Sequence, residues 1–339
     1  MTRFDLFAEE ALYGPDGFYT KRQRAGSVGA DFITSPETSA LFGSCIAGYL
    51  DRVWHELDRP NPYVVIEAGS GIGTLCRDIF LSVQECTEAL RYVMVERSEL
   101  QREIAFAEVT TSCFLDLDEA PLAALRDLPG GSFTGVVLAN ELLDNLPPRV
   151  VQKTTTGWVE LHIDNGSEDW QTAPKAAQDM ASAIAPNAQT GSCLPLQLKA
   201  AVWVNRALGT LDRGRLLIFD YGVENSEIFD GRPLAEWLRT YKNHRRSGLP
   251  YEESGTRDIT CDVAFDQLPG SPSICSQADW LASQGLYSMT EWARNHWQSS
   301  VSSPDAAAVA ARSVLDEAAT LTDPEGLGGF LVAEWRVGD

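Results

Sequence analysis

The chain has 339 residues, enough to bury the core of one large domain with insertions or of two smaller ones. Its 48 acidic residues outnumber 27 basic ones, and a net charge of −21 argues against a nucleic-acid partner while suiting a cationic one. Seven cysteines without a Cys-x-x-Cys pair, four histidines without a His-x-x-x-His pair and no long apolar run speak against a disulfide framework, a metal site and a membrane span.

In chain order, Gly14-Pro-Asp-Gly is a turn. The apolar positions Leu41, Phe42, Cys45, Ile46, Leu50 and Val53 predict a helix between Glu37 and Leu57. Residues 1–60 are thus expected to form a helical N-terminal lid segment, and residues 61–339 the main domain. The main domain opens on Tyr63-Val-Val-Ile-Glu-Ala-Gly-Ser-Gly-Ile-Gly-Thr-Leu75, which reads as a buried strand, a glycine turn and a helix. The Gly-x-Gly-x-x-Gly dinucleotide fingerprint is incomplete, because its sixth position is Thr74. Glu67 would repel a pyrophosphate but suits the ammonium of a methionine group, which favours S-adenosylmethionine over NAD. Gly69, Gly71 and Gly73 then shape the loop at that ligand.

Arg91 to Glu96 is a second strand ending in an acid, and two carboxylate oxygens match two ribose hydroxyls. Glu96 would otherwise cap the next helix. Phe114 to Asp118 is read as the end of a third strand, with Asp116 either at the adenine amino group or in a solvated turn. Gly135 to Ala139 is a fourth strand, followed by Asn140-Glu141-Leu-Leu-Asp144. Asn140 and Glu141 are placed to hold a nitrogen acceptor, or else cap a helix, and Asp144 is shared between the site and solvent.

Arg149–Thr154 and Gly157–Ile163 predict an inserted hairpin, 165–195 a surface excursion and Leu196–Leu211 a helix. Gly214 to Gly222 is the fifth strand, with Asp220 and Tyr221 expected on the acceptor side. A second insertion over 223–272 holds the locally basic run Arg239, Lys242, His244, Arg245 and Arg246. Leu286–Trp292 and Phe330–Val337 are expected as strands six and seven, with an Ala-rich helix over Ala306–Ala319 between them.

Together, Tyr13-Gly-Pro-Asp-Gly-Phe-Tyr19, Asp31-Phe-Ile-Thr-Ser-Pro-Glu37, the Glu67 glycine loop, Val95-Glu-Arg-Ser98, Ala139-Asn-Glu-Leu-Leu-Asp-Asn-Leu-Pro147, Phe219-Asp-Tyr-Gly222 and Asp258-Ile-Thr-Cys-Asp262 resemble the MidA-like class I S-adenosylmethionine-dependent methyltransferases. The resemblance implies an α/β fold: a Rossmann-like, seven-stranded, mostly parallel sheet with a helical N-terminal lid and inserted cap segments near 148–195 and 223–272. It implies S-adenosylmethionine at Gly69, Gly71, Gly73 and Glu96, with the Asp31–Glu37 block, Asp31 and Ser35 among it, closing over the cofactor; Glu67 and Asp116 join them on the strand-end reading above. It puts Asn140, Glu141 and Asp144 at the reaction centre, and Glu37 is the second candidate, after Glu141, for a carboxylate that aligns the acceptor. Ser70, Ile72 and Leu143 depart from the family pattern.

The expected activity is methyl transfer to a protein, at an arginine nitrogen. The alternatives are a small-molecule or other side-chain methyltransferase, or an assembly factor that binds the cofactor without turnover. The expected partner is a protein with a cationic side chain, with no nucleic acid, membrane or metal involved, and the expected location is the cytoplasm.

Overall fold

Alternation within single strands explains how the central sheet is covered on both faces. All six residues of Tyr63–Ala68 are buried. Tyr63 and Val65 pack with Phe42, Ile46, Leu50 and Ile79, while Val64, Ile66 and Ala68 pack with Ala200, Val204 and Ala207. Successive side chains of a strand point to opposite faces, so a strand buried on both sides reads as an unbroken apolar run.

A computed structural model describes residues 1–21, 34–114, 121–242 and 245–338. Its central sheet comprises β1 (Tyr63–Ala68), β2 (Leu90–Val95), β3 (Leu122–Leu125), β4 (Phe133–Asn140), β5 (Leu211–Asp220), β6 (Ser273–Ser276) and β7 (Leu331–Val337). The spatial order is β6-β7-β5-β4-β1-β2-β3. Pairing is parallel from β3 through β5, and β7 runs antiparallel to both β5 and β6. The expected mostly parallel, seven-stranded sheet is therefore present. Its strand order reverses between β1 and β4, which is where open α/β sheets form a ligand crevice.

The helix Ala40–Glu56 packs on this sheet. The first helix, Phe4–Tyr13, packs elsewhere. Thr2 and Arg3 pair with Ile163 and His162, and Phe4, Ala8 and Leu12 join Val150, Trp158, Leu161 and Trp237 in a separate core. That core lies against a second sheet formed by Arg149–Thr154, Gly157–Asp164, Ser167–Thr172 and Cys193–Leu196 with Thr2–Arg3. The N-terminal helix thus leans on the inserted lobe and reaches the cofactor crevice from there.

Three expectations change. Leu286–Trp292 is helical, forming Leu286–Met289 and the start of Glu291–Ser300. Strand six is instead Ser273–Ser276, an edge strand held by its backbone pairing with β7. Its four residues carry no apolar run, so its sequence gives little strand signal. Residues 165–195 hold a strand, the helix Lys175–Ile184 and the buried strand Cys193–Leu196, not a surface excursion. The helix buries Ala177 and Ala181, whose small side chains make a weak apolar stripe. The third strand is Leu122–Leu125, later than the Phe114–Asp118 reading, and Asp116 lies outside the described residues.

Candidate active site

The loop after β1 bends at Gly69, Gly71 and Gly73, all with positive φ. At Gly71 the φ is 53°, and an added Cβ would meet only Gln101 Oε1, at 3.9 Å. A branched side chain there would enter the adjoining cavity. Gly73 serves packing instead. A Cβ there would lie 3.1 Å from Ala105 Cβ and Val109 Cγ2, so its bareness lets the next helix approach.

This loop borders a cavity of about 760 Å³, a size suited to a nucleoside-containing ligand. Glu67 and Glu96 both line it. Glu67 is buried and accepts a hydrogen bond of 2.7 Å from the Tyr92 hydroxyl. Burial pushes its carboxyl up to about 8, against the pull of Tyr92. A cation placed beside it would remove that penalty, which fits the ammonium of a methionine group. Glu96 accepts from Gly71 N at 3.2 Å and from Ser98 N at 2.8 Å. It therefore braces the glycine loop and the turn into the next helix, in addition to facing the cavity. Gln101 Nε2 and Ser70 Oγ are buried without hydrogen-bond partners among the described residues. Unsatisfied polar atoms and a carboxylate lacking a cation are features a polar, cationic cofactor would satisfy, so these residues fit S-adenosylmethionine.

The turn after β4 supplies the other wall. Glu141 has a φ of 50°, a left-handed conformation uncommon for a residue with a side chain. Its backbone N–H donates to Phe219 O at 2.9 Å, which ties the turn to β5. Asp220 at the end of β5 accepts from Leu143 N at 2.8 Å and Asp144 N at 3.3 Å. Asp220 is fully buried and is a brace for this turn, not a residue lining the acceptor side. Glu141 Oε1 accepts from Asn140 Nδ2 at 3.2 Å and from Ser35 N at 3.4 Å. Burial, reinforced by the charge of Asp144, pushes the Glu141 carboxyl up to about 8.

The structure brings Glu67, Gly69, Gly71, Glu96, Asn140, Glu141 and Glu37 to the one cavity. Glu37 also accepts from Thr34 N at 3.4 Å at the start of its short helix, and burial pushes it up to about 7. Ser35 is separated from the cavity. Its side chain is fully buried and its hydroxyl donates to Gln277 Oε1 at 3.1 Å, so only its backbone N–H serves the site, through Glu141. Asp144 faces a second cavity. Asp31 and Asp116 lie outside the described residues.

Several lining residues are given no site role by the sequence, although Tyr13, Tyr19 and Arg97 belong to motifs that carry the resemblance. Tyr13 and Tyr19, stacked at 5.5 Å, line the cavity from the N-terminal segment, and the Arg97 guanidinium lies 4.2 Å from the Tyr13 ring centre. Gln101 and Trp203 come from the flanking helices, and Arg126 and Asp127 follow β3. The signal for Arg126-Asp127 is a charged pair just beyond a strand, which becomes visible only once β3 is placed correctly. Nothing local distinguishes Gln101 or Trp203 from other helix residues.

The sequence profile of a family of S-adenosyl-L-methionine-dependent methyltransferases matches residues 45–282, well over half of the chain. The chain belongs to this family. It is 28% identical over 292 residues to the mitochondrial protein arginine methyltransferase NDUFAF7 homolog of Drosophila melanogaster, covering 76% of this chain and 64% of the fly protein. The mitochondrial protein arginine methyltransferase NDUFAF7 of Danio rerio is 26% identical over 319 residues, covering 83% and 72% of the two chains. The chain thus spans less than two-thirds of the fly relative's length. A crystal structure from Burkholderia thailandensis bound to S-adenosyl-homocysteine has the same fold, with a TM-score of 0.81 at 23% identity over 99% of this chain and 88% of that one. The MidA-like resemblance and the class I fold are borne out.

The cytoplasmic expectation is corrected, since the fly, zebrafish and human relatives are all named as mitochondrial proteins. The composition and fold of the domain do not specify a compartment, so they gave that expectation no physical support. Among the described residues, no helix is long and apolar enough to cross a membrane.

Proposed function

We propose that this methyltransferase modifies an arginine nitrogen of a protein acceptor. The observation that carries this reading is Glu141, a half-buried carboxylate that lines both the cofactor cavity and the adjoining one. The names of the fly and zebrafish relatives point the same way. S-adenosylmethionine, when bound, supplies a methyl carbon on a positively charged sulfur.

The chain's own residues would then position and deprotonate the acceptor. Glu141 can accept two parallel N–H···O bonds from a guanidinium, a planar arrangement that fixes the attacking nitrogen. Its own two partners, Asn140 Nδ2 and Ser35 N, both approach Oε1. Methyl transfer to nitrogen would require one acceptor proton to leave. A carboxyl pushed up to about 8 is matched to receive it near neutral pH. Positioning of this kind supplies much of the acceleration in displacement at carbon.

The test is incubation of the chain with a donor labelled in its methyl group and a cell lysate, followed by acid hydrolysis. Label in methylarginine is the expected result. Label in another amino acid would replace arginine as the acceptor, label in a small molecule would remove the protein acceptor, and donor binding without transfer would leave an assembly factor.

A further inference from the structure

Behind Glu141 lies a second cavity of about 420 Å³ that shares Glu141 and Asn145 with the first. Its floor carries Asp144, from the turn after β4, and Asp258, from the inserted strand Asp258–Cys261. Its walls include Tyr221, Tyr241 and Phe330, and the Tyr221 and Phe330 rings stand 5.4 Å apart. We propose that this cavity is the acceptor subsite and takes an alkylguanidinium, with its charge held between Asp144 and Asp258 and its stem against the aromatic wall. This rests on the arginine reading above and adds the place and the residues that select the side chain.

Charge balance is the first argument. Among the described residues lining this cavity, Arg239 is the only cation. It is already engaged: its Nη2 pairs with Asp262 Oδ1 and its guanidinium lies over the Tyr221 ring at 4.8 Å. Its charge also draws Asp144 down, so Glu141, Asp144 and Asp258 are three carboxyls facing one cavity with a single, partly engaged cation among them. Burial is the main cause that pushes them up, to about 8, 6 and 7 respectively, and repulsion from Asp144 adds to it at Glu141 and Asp258. Buried carboxyls in this state gain most from a ligand that brings positive charge and several N–H donors.

Unused hydrogen-bonding capacity is the second. Asp144 is 5% exposed, and its Oδ2 accepts from the Tyr221 hydroxyl at 2.7 Å. Its Oδ1 is buried with no partner among the described residues. Buried acceptors are almost always paired, so an orphaned carboxylate oxygen at a cavity wall points to a donor supplied from outside. Asp258 is anchored from the side: its Oδ1 lies 3.1 Å from the Tyr19 hydroxyl and accepts from Asn145 Nδ2 at 3.1 Å. The guanidinium has five donors in a fixed fork and can reach both acids, whereas an ammonium is a compact point charge without that planar match.

Agmatine, an alkylguanidinium without any protein attached, separates this proposal from the arginine-protein reading. Its binding is measured by calorimetry with S-adenosylhomocysteine present, on wild type, Asp258→Asn and Phe330→Trp. Wild type is expected to bind agmatine more tightly than its uncharged urea analogue. Asp258→Asn is expected to weaken agmatine at least tenfold while leaving S-adenosylhomocysteine affinity intact. Phe330→Trp narrows the cavity without touching the carboxylates and is expected to weaken agmatine as well. If Asp258→Asn also loses S-adenosylhomocysteine, its fold has suffered and Phe330→Trp decides. No preference for agmatine in wild type, or wild-type affinity in a variant that retains S-adenosylhomocysteine, overturns the proposal. Methylarginine formed in lysate despite such a result would keep the arginine reading and discard this cavity. Agmatine binding without any methylarginine in lysate would do the reverse.

Discussion

Glu141 combines three properties: a left-handed backbone, a half-buried carboxylate with a raised pKa, and a position shared by two cavities. Glu141→Gln keeps the shape and removes the charge. Hydrogen bonds to a charged group contribute about 1.5–3 kcal/mol, so single-turnover methyl transfer should slow by roughly tenfold to a hundredfold. S-adenosylhomocysteine affinity should change little, and unchanged transfer would exclude Glu141 from the reaction. Tyr92 acts on the donor side through Glu67. Its hydroxyl bond favours the ionised carboxylate, so Tyr92→Phe should raise the Glu67 pKa further above about 8. Donor affinity at pH 7 should fall about tenfold, with a smaller gap at pH 9, where the carboxylate ionises in either form. Equal affinity for the two proteins at pH 7 would show that Glu67 does not meet the ammonium.

At the scale of elements, the first helix is clasped to the wall of the cofactor cavity. Glu9 accepts from Arg97 Nη1 at 2.8 Å, just past β2, and from Lys199 Nζ at 3.0 Å, on the helix Leu198–Leu208. All three side chains line the cavity. The two bases hold the Glu9 carboxyl below its ordinary value even though burial opposes them. Because the pairs are partly exposed, their contribution is on the order of 1 kcal/mol. Glu9→Gln should therefore speed donor release by a few-fold in stopped-flow measurements and flatten the salt dependence of that rate. A release rate with wild-type magnitude and salt response would mean that the helix does not gate the cavity. The same helix shows how elements differ in legibility. The sheet strands follow from apolar spacing, but the docking of this helix on the inserted lobe depends on Thr2–Arg3 joining Gly157–Asp164, a pairing between distant segments. Strand six is hard to read because an edge strand held by backbone hydrogen bonds needs no apolar run.

For the whole molecule, carboxyls that are buried or half-buried dominate the pH response. Glu37, Glu67, Glu141, Asp144 and Asp258 are all raised, to values between about 6 and about 8. In the unfolded chain such groups titrate near 4. Between those limits the folded state binds more protons, so stability is greatest below the unfolded values and falls as pH rises through the folded ones. Thermal unfolding without ligand should show a falling midpoint from pH 5 to pH 8. A cationic ligand that pairs with these acids should offset the fall, so stabilisation by S-adenosylmethionine should be larger at pH 8 than at pH 5. A midpoint that rises over this range would contradict the burial of uncompensated acids.

What the sequence by itself determined was everything carried by short stretches of chain. The buried strands, the glycine loop with Glu67, the acid at Glu96 and the Asn140–Glu141 turn all sit at strand ends, where the alternation of side chains and the turn chemistry are local properties. The tertiary structure decided what those residues face. Ser35 and Glu141 are 106 positions apart, and Asn145 and Asp258 are 113 apart, yet each pair is in hydrogen-bonding contact. It also separated Gly73, which serves helix packing, from Gly71, which opens to the cavity, although both glycines look alike in the loop. Asp258 lies on a strand whose four residues are all buried, and only the approach of Asn145 and Tyr19 makes it part of a cavity wall. Contacts of this range arise from packing two sheets and a helix against one another, and packing is a property of the assembled surfaces that no local stretch of sequence encodes.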